Sequence, residues 1–227
     1  MTLQDKAADG PRGPLVSAGQ AIEDLSFRII DAEMGPHGYP PDQWSIVRRV
    51  IHTTGDFEYA RLIRIHSRAV EAGCEALRRG ATIYADTRMI QVGLSSTRLQ
   101  WFGNAVVVPA SQPAVRDMAH RDGLTQSAAA FRHAGPNLHG AIVAVGNAPT
   151  ALLETLRLME QEHIRPALVV GVPVGFVQAD TAKEALWQDQ AVPSITVLGR
   201  KGGSSVAVAI LHALMELAHG ADAAPVR

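Results

Sequence analysis

A single cysteine, Cys74, leaves no material for a disulfide framework or a cysteine-based zinc site. That fits a reducing, cytoplasmic setting. Charge of one sign is also missing. The formal net charge is −1, which argues against a general nucleic-acid binder. Charged residues are 19% of the chain and hydrophobic ones 47%, so the composition is globular and not that of a disordered segment. No apolar run suits a bilayer. The longest, Val206–Ala218, is too short and contains His212 and Glu216. The first residues carry no apolar signal segment, so the expected location is the cytoplasm, with no membrane partner.

Several catalytic fingerprints are absent too. Gly171–Gly175 (GVPVG) lacks the third glycine and the spacing of a dinucleotide site. Gly199–Ser205 (GRKGGSS) is not a phosphate-binding P-loop, because no lysine precedes the serines at the required place. There is no Gly-x-Ser-x-Gly elbow. No two histidines have metal-ligand spacing on one helix, since a proline-containing loop separates His133 from His139. These absences weaken a nucleotide-dependent reading and give no metal site.

What is present is organised around residues 140–151. Ala141–Val145 is a short β-branched run that reads as a buried strand. Gly146-Asn147-Ala148 breaks it, and Pro149 is pre-set for a first helical turn. Thr150–Glu162 then has helical spacing, with Leu152, Leu153, Leu156 and Met159 on one face. The pattern recurs where Ala167–Gly171 meets Val172-Pro173-Val174-Gly175, and where Ser194–Leu198 meets Gly199-Arg200-Lys201-Gly202-Gly203. In a parallel sheet all three turns emerge at carboxyl ends of strands, where such folds bind ligands. Free turn N–H groups, together with Arg200 and Lys201, would suit an anionic ligand. Glycines that merely end strands are the plainer alternative.

The remainder reads as three helices followed by alternating strands and helices. Residues 1–17 read as a flexible tail. A helix is expected from about Gly19 to Met34, capped near Ser17, with Ser26 bonding back to its own backbone. Asp42 can cap a second helix bearing Trp44, Ile46, Val47, Val50 and Ile51. His52 falls where that helix should stop, before Gly55. It is either an ordinary surface histidine or the natural proton donor of a site. Phe57–Ile65 is ambiguous between helix and strand, and Ser67–Arg79 is a helix stopped by Gly80. Strands are expected at Ala81–Ala85 and Ala105–Ala110. Asp86 reads as a helix cap, a site carboxylate, or both. Helices are expected at Arg88–Val92, Pro113–His120 and Thr125–His133. The fold class is α/β: a mostly parallel sheet with helices on both faces, a single domain over 18–218 with an N-terminal helical extension, and a flexible end at 219–227.

Taken in order, Ile51–Asp56 (IHTTGD), Asp86–Met89 (DTRM), Ser127–Ala130 (SAAA), Gly146–Leu152 (GNAPTAL), Gly171–Val177 (GVPVGFV) and Gly199–Ser204 (GRKGGS) resemble the precorrin-8X methylmutase family. The resemblance spans about residues 18–217. It implies an isomerase of cobalamin biosynthesis that moves a methyl group from C11 to C12 of precorrin-8X or cobalt-precorrin-8 by a 1,5-sigmatropic shift. It implies no cofactor, with any cobalt carried by the substrate. It also implies a homodimer with the site near the subunit interface, possible contact with neighbouring corrin-pathway enzymes, and His52 as the catalytic proton donor. Ser26, Thr53, Asp86, Met89, Thr125 and Ser127 match the family's substrate-binding segments. So do Gly146, Asn147, Ala148, Pro173, Gly175, Arg200, Lys201 and Gly202. Gln126 stands where the family usually has arginine, and a neutral side chain there replaces a fixed cation. That departure motivates the alternative of a non-catalytic tetrapyrrole carrier with the same fold.

Overall fold

A computed structural model describes residues 12–222. The outer parts of the expected flexible ends, 1–11 and 223–227, lie outside the described residues. Their inner parts are helical. The first helix, α1, spans Arg12–Met34, so Ser17 lies within it and not at its start. The last, α11, spans Ser204–Asp222. The described residues form two compact units, one ending at His37 and one beginning at Gly38. The first is α1, closed by the Gly35 N–H donating to the Asp31 carbonyl at 3.2 Å.

The second unit is the α/β domain. Its first helix, α2 (Pro41–Thr54), opens on Pro40-Pro41, and Asp42 lies in its first turn without capping it. Trp44, Ile46, Val47, Val50 and Ile51 are buried, as their spacing predicts. Gly55 ends the helix in the left-handed conformation, donating to Ile51 O at 2.7 Å. The ambiguous Phe57–Ile65 stretch proves to be both things. A four-residue helix, α3 (Tyr59–Leu62), leads directly into strand β1 (Ile63–Ile65). Then follow α4 (Ala69–Arg78), β2 (Ile83–Ala85), α5 (Arg88–Gly93), α6 (Ser96–Phe102) and β3 (Val106–Val107). Helices α7 (Pro113–Asp122) and α8 (Gln126–Ala134) precede β4 (Ile142–Val145). Helix α9 (Pro149–Gln161), β5 (Leu168–Gly171), α10 (Ala179–Gln188) and β6 (Ser194–Val197) lead to α11.

The sheet order is β1-β6-β5-β4-β2-β3. All pairs are parallel except β1 with β6, where Ile63 faces Val197. Every residue of β4, β5 and β6 is buried, as expected of strands covered on both faces. Val143, Val145 and Val169 pack with Phe131, Leu152, Leu158 and Leu186, so α8, α9 and α10 cover one face. Leu168 points the other way, toward Gly73 of α4 and Leu214 of α11. The chain leaves β4 toward β5 in one direction, while β2 and β3 lie in the other. The strand order therefore switches between β2 and β4, and the crevice of such a sheet opens at that point.

Candidate functional site

Asp86 follows β2 and Gly146 follows β4, so both stand at the switch point. The Asp86 carboxylate spans it. Its oxygens accept N–H bonds from Gly146, Asn147 and Ala148 at 3.0, 2.8 and 2.7 Å. Burial pushes the Asp86 carboxyl above its ordinary value, against the pull of these donors. The cap of α5 is instead Thr87, whose Oγ1 accepts from Ile90 N at 3.3 Å. Asp86 is thus not the cap of α5; it is a brace between two strand ends.

The same economy holds along the rim. Val174 N–H donates to Gly146 O, Gly175 N–H to Arg200 O, and Gly203 N–H to Val172 O. Gly199 N–H donates to Asp180 Oδ1 at 2.9 Å. These amides have acceptors within the chain. The glycines are needed for closeness. A Cβ at Gly146 would lie 2.7 Å from Ser204 Cα, and one at Gly202 (φ +152°) 2.2 Å from Val172 O. Pro173, buried between these turns, completes the wall.

Beside this wall lies a cleft of about 260 Å³ between α2, α5 and α11. Thr53 and Met89 line it, with Ser204, Ser205 and Val208 of α11. Thr87 Oγ1 and Ser204 Oγ share a hydrogen bond of 3.0 Å at its edge. His52 is exposed in the last turn of α2, one residue from Thr53. Two lining residues, Arg49 and His212, have no mark in the sequence as site residues. Arg49 is buried and donates to Glu216 Oε2, while Arg98 donates to Glu216 Oε1, tying α2 and α6 to α11. His212 Nε2 accepts from Ser95 N–H at 3.0 Å. Only the folding of α2 and α6 against α11 reveals either one.

The two rim cations differ. Lys201 Nζ pairs with Asp56 and with Glu58, the latter at 2.6 Å. Hydrogen bonds to both carboxylates push its ammonium up to about 12. Two carboxylates therefore balance its charge where it stands. Arg200 is exposed, its guanidinium 5.1 Å above the Phe176 ring. Phe176 and Val177 are themselves exposed, as are Met89 and Val92 on α5.

Thr125 caps α8, accepting from Ala128 N–H at 3.2 Å, and donates to Thr150 Oγ1 at 2.8 Å. That bond brings the start of α8 to the start of α9, on the same edge of the sheet. Gln126 is exposed and its Nε2 donates to Ala110 O at 3.0 Å. Ser127 follows, half-buried. Ser26 belongs to the first unit, where its hydroxyl donates to Ile22 O at 3.0 Å, the local bond its helical position predicts. Among the described residues, no three His, Cys, Asp or Glu side chains gather to hold a metal, and no helix is long and apolar enough to cross a membrane.

Comparison with known proteins gives a consistent result. The family model described as precorrin-8X methylmutase matches residues 21–217. The cobalt-precorrin-8 methylmutase of Leptospira interrogans is 43% identical over 89% of this chain and 96% of its own. The precorrin-8X methylmutase of Pseudomonas aeruginosa is 40% identical over 86% and 94%. A crystal structure of precorrin-8X methylmutase from Thermus thermophilus superposes with a TM-score of 0.82 at 49% identity, covering 88% of this chain and 98% of that one.

Proposed function

The chain belongs to the precorrin-8X methylmutase family, and from that membership we propose that it moves the C11 methyl group of precorrin-8X or cobalt-precorrin-8 to C12, yielding hydrogenobyrinate or cobyrinate. The observation that carries this reading is the family match across residues 21–217, with His52 in the last turn of α2 beside the cleft.

In this reaction the bond from methyl to C11 breaks as the bond to C12 forms. No oxidant, reductant or external methyl donor is consumed, and the chain needs no cofactor of its own. Little covalent work is left for the protein. Holding one conformer and protonating the conjugated system are the useful contributions. His52 supplies the proton and takes one back after the methyl has moved, so the isomerisation is proton-neutral. Arg200 binds a propionate or acetate carboxylate at the rim, because Lys201 is already paired. Met89 and Phe176 offer apolar surface to the flat ring. The cleft of about 260 Å³ is smaller than the roughly 300–1,000 Å³ usual for whole ligands, so the macrocycle lies across the rim with only an edge inserted. A second copy of the chain completes the enclosure, and the active form is a cytoplasmic homodimer.

The test is an anaerobic absorbance assay with precorrin-8X and cobalt-precorrin-8, run on wild type and His52→Ala. Wild type is expected to develop the corrin product spectrum, and the variant to slow by about 10²–10⁴-fold, the usual worth of a proton donor. Undiminished conversion by the variant would discard the mechanism and keep the reaction. Gln126, neutral and engaged with Ala110 O, favours the second reading of a non-catalytic carrier. Binding of tetrapyrrole by wild type without conversion would establish that one.

A further inference from the structure

Two side chains one turn apart on α10 grip the turn between β6 and α11 from opposite polarities. Asp180 Oδ1 accepts from Gly199 N–H at 2.9 Å. Lys183 Nζ donates to Lys201 O at 2.7 Å. Lys183 is fully buried, at 0% exposure. An amine costs free energy to bring into a dry interior, where a methionine of similar length would pack without that cost. Burial accordingly pulls its ammonium down to about 8. What the buried amine gains is one aimed donor on one carbonyl.

That carbonyl belongs to the turn with most consequence for the rim. Residue 200 of the turn is the exposed cation over Phe176. Residue 201 reaches Asp56 and Glu58, in the loop that follows the helix bearing His52. Contacts therefore run from α10 through residues 199–201 to the loop after α2. Neither Asp180 nor Lys183 lines the cleft between α2, α5 and α11.

We propose that Asp180 and Lys183 are positioning residues, a two-point clamp on the β6–α11 turn that aims Arg200 at a substrate carboxylate. This rests on the methylmutase reading above. The clamp acts on binding and leaves the proton transfer alone. Lys183→Met and Asp180→Ala are expected to raise KM for precorrin-8X, or for cobalt-precorrin-8 if that is the form turned over, about tenfold with kcat changed less than about twofold. Asp180→Asn keeps the Oδ1 acceptor and is expected to restore KM.

Amide hydrogen exchange on the same proteins gives a readout independent of turnover. Exchange over residues 199–203 is expected to speed up in Lys183→Met and Asp180→Ala, with β4 and α8 unchanged. An unchanged KM would overturn the positioning role even if exchange rises. Unchanged exchange would overturn the clamp itself, as would Asp180→Asn behaving like Asp180→Ala. A wild type that neither binds nor converts tetrapyrrole would sink the methylmutase reading and the aiming role with it. Faster exchange in the variants would still establish the clamp in that case.

Discussion

Asp86 spends its charge on the fold. A carboxylate at a strand end facing three backbone N–H groups is a strong acceptor, and here all three donors come from one turn sixty residues away. Asp86→Ala would leave those N–H groups buried or half-buried without an acceptor. The expected cost is about 3 kcal/mol, read from the midpoint of urea unfolding. A loss below about 1 kcal/mol would mean that water replaces the carboxylate easily and that the brace matters little. Lys201 makes the same point for cations. It and Arg200 are adjacent in sequence and both cationic, yet Asp56 and Glu58 pair with one and leave the other at the rim. Sequence spacing could not separate them, because both acidic partners lie about 145 residues upstream of Lys201.

At the scale of elements, the wall at the carboxyl edge depends on backbone meeting backbone. The turn after β4 touches the start of α11 so closely that a Cβ at Gly146 would lie 2.7 Å from Ser204 Cα. A backbone atom cannot swing aside as a side chain can. Gly146→Ala is expected to destabilise by about 2–3 kcal/mol and to shift the start of α11 where it borders the cleft. Thermal unfolding should register the loss against Gly38→Ala, whose added methyl meets nothing within 4 Å. The elements differ in how legible they were. β4, β5 and β6 announce themselves as β-branched runs, because a strand buried on both faces has no polar positions to alternate with. α2, α4, α8 and α9 follow from apolar spacing. α6 (Ser96–Phe102) went unassigned, since none of its residues is buried and it has no inward stripe to display. The Phe57–Ile65 stretch was ambiguous because β1 is a strand only by virtue of pairing antiparallel with β6.

At the scale of the whole molecule, the open rim calls for a cover. Met89, at the cleft, and Val92, Phe176 and Val177 are exposed, and exposed apolar side chains of this sort mark surfaces that another body covers. If that body is a second copy, sedimentation velocity should give a single species of twice the chain mass at micromolar concentration. Phe176→Asp should shift it toward monomer and lower turnover together. A monomer that turns over fully would assign these side chains to the substrate alone.

By itself the sequence determined the α/β class, the parallel core strands, the glycine turns at their ends, the position of His52 at a helix end, and the family. All of these depend on short-range information: periodicity, turn residues and ordered motifs within a few positions of one another. The tertiary structure alone decided which groups are spent. It assigned the rim amides to Asp86, Asp180 and neighbouring carbonyls, paired Lys201, buried Lys183 under the turn, and brought Arg49 and His212 to the cleft. Each of those outcomes depends on a partner outside its own element, from 18 to 145 residues away for the bonded pairs. A hydrogen bond or ion pair at such separation exists only after the sheet has set its strand order.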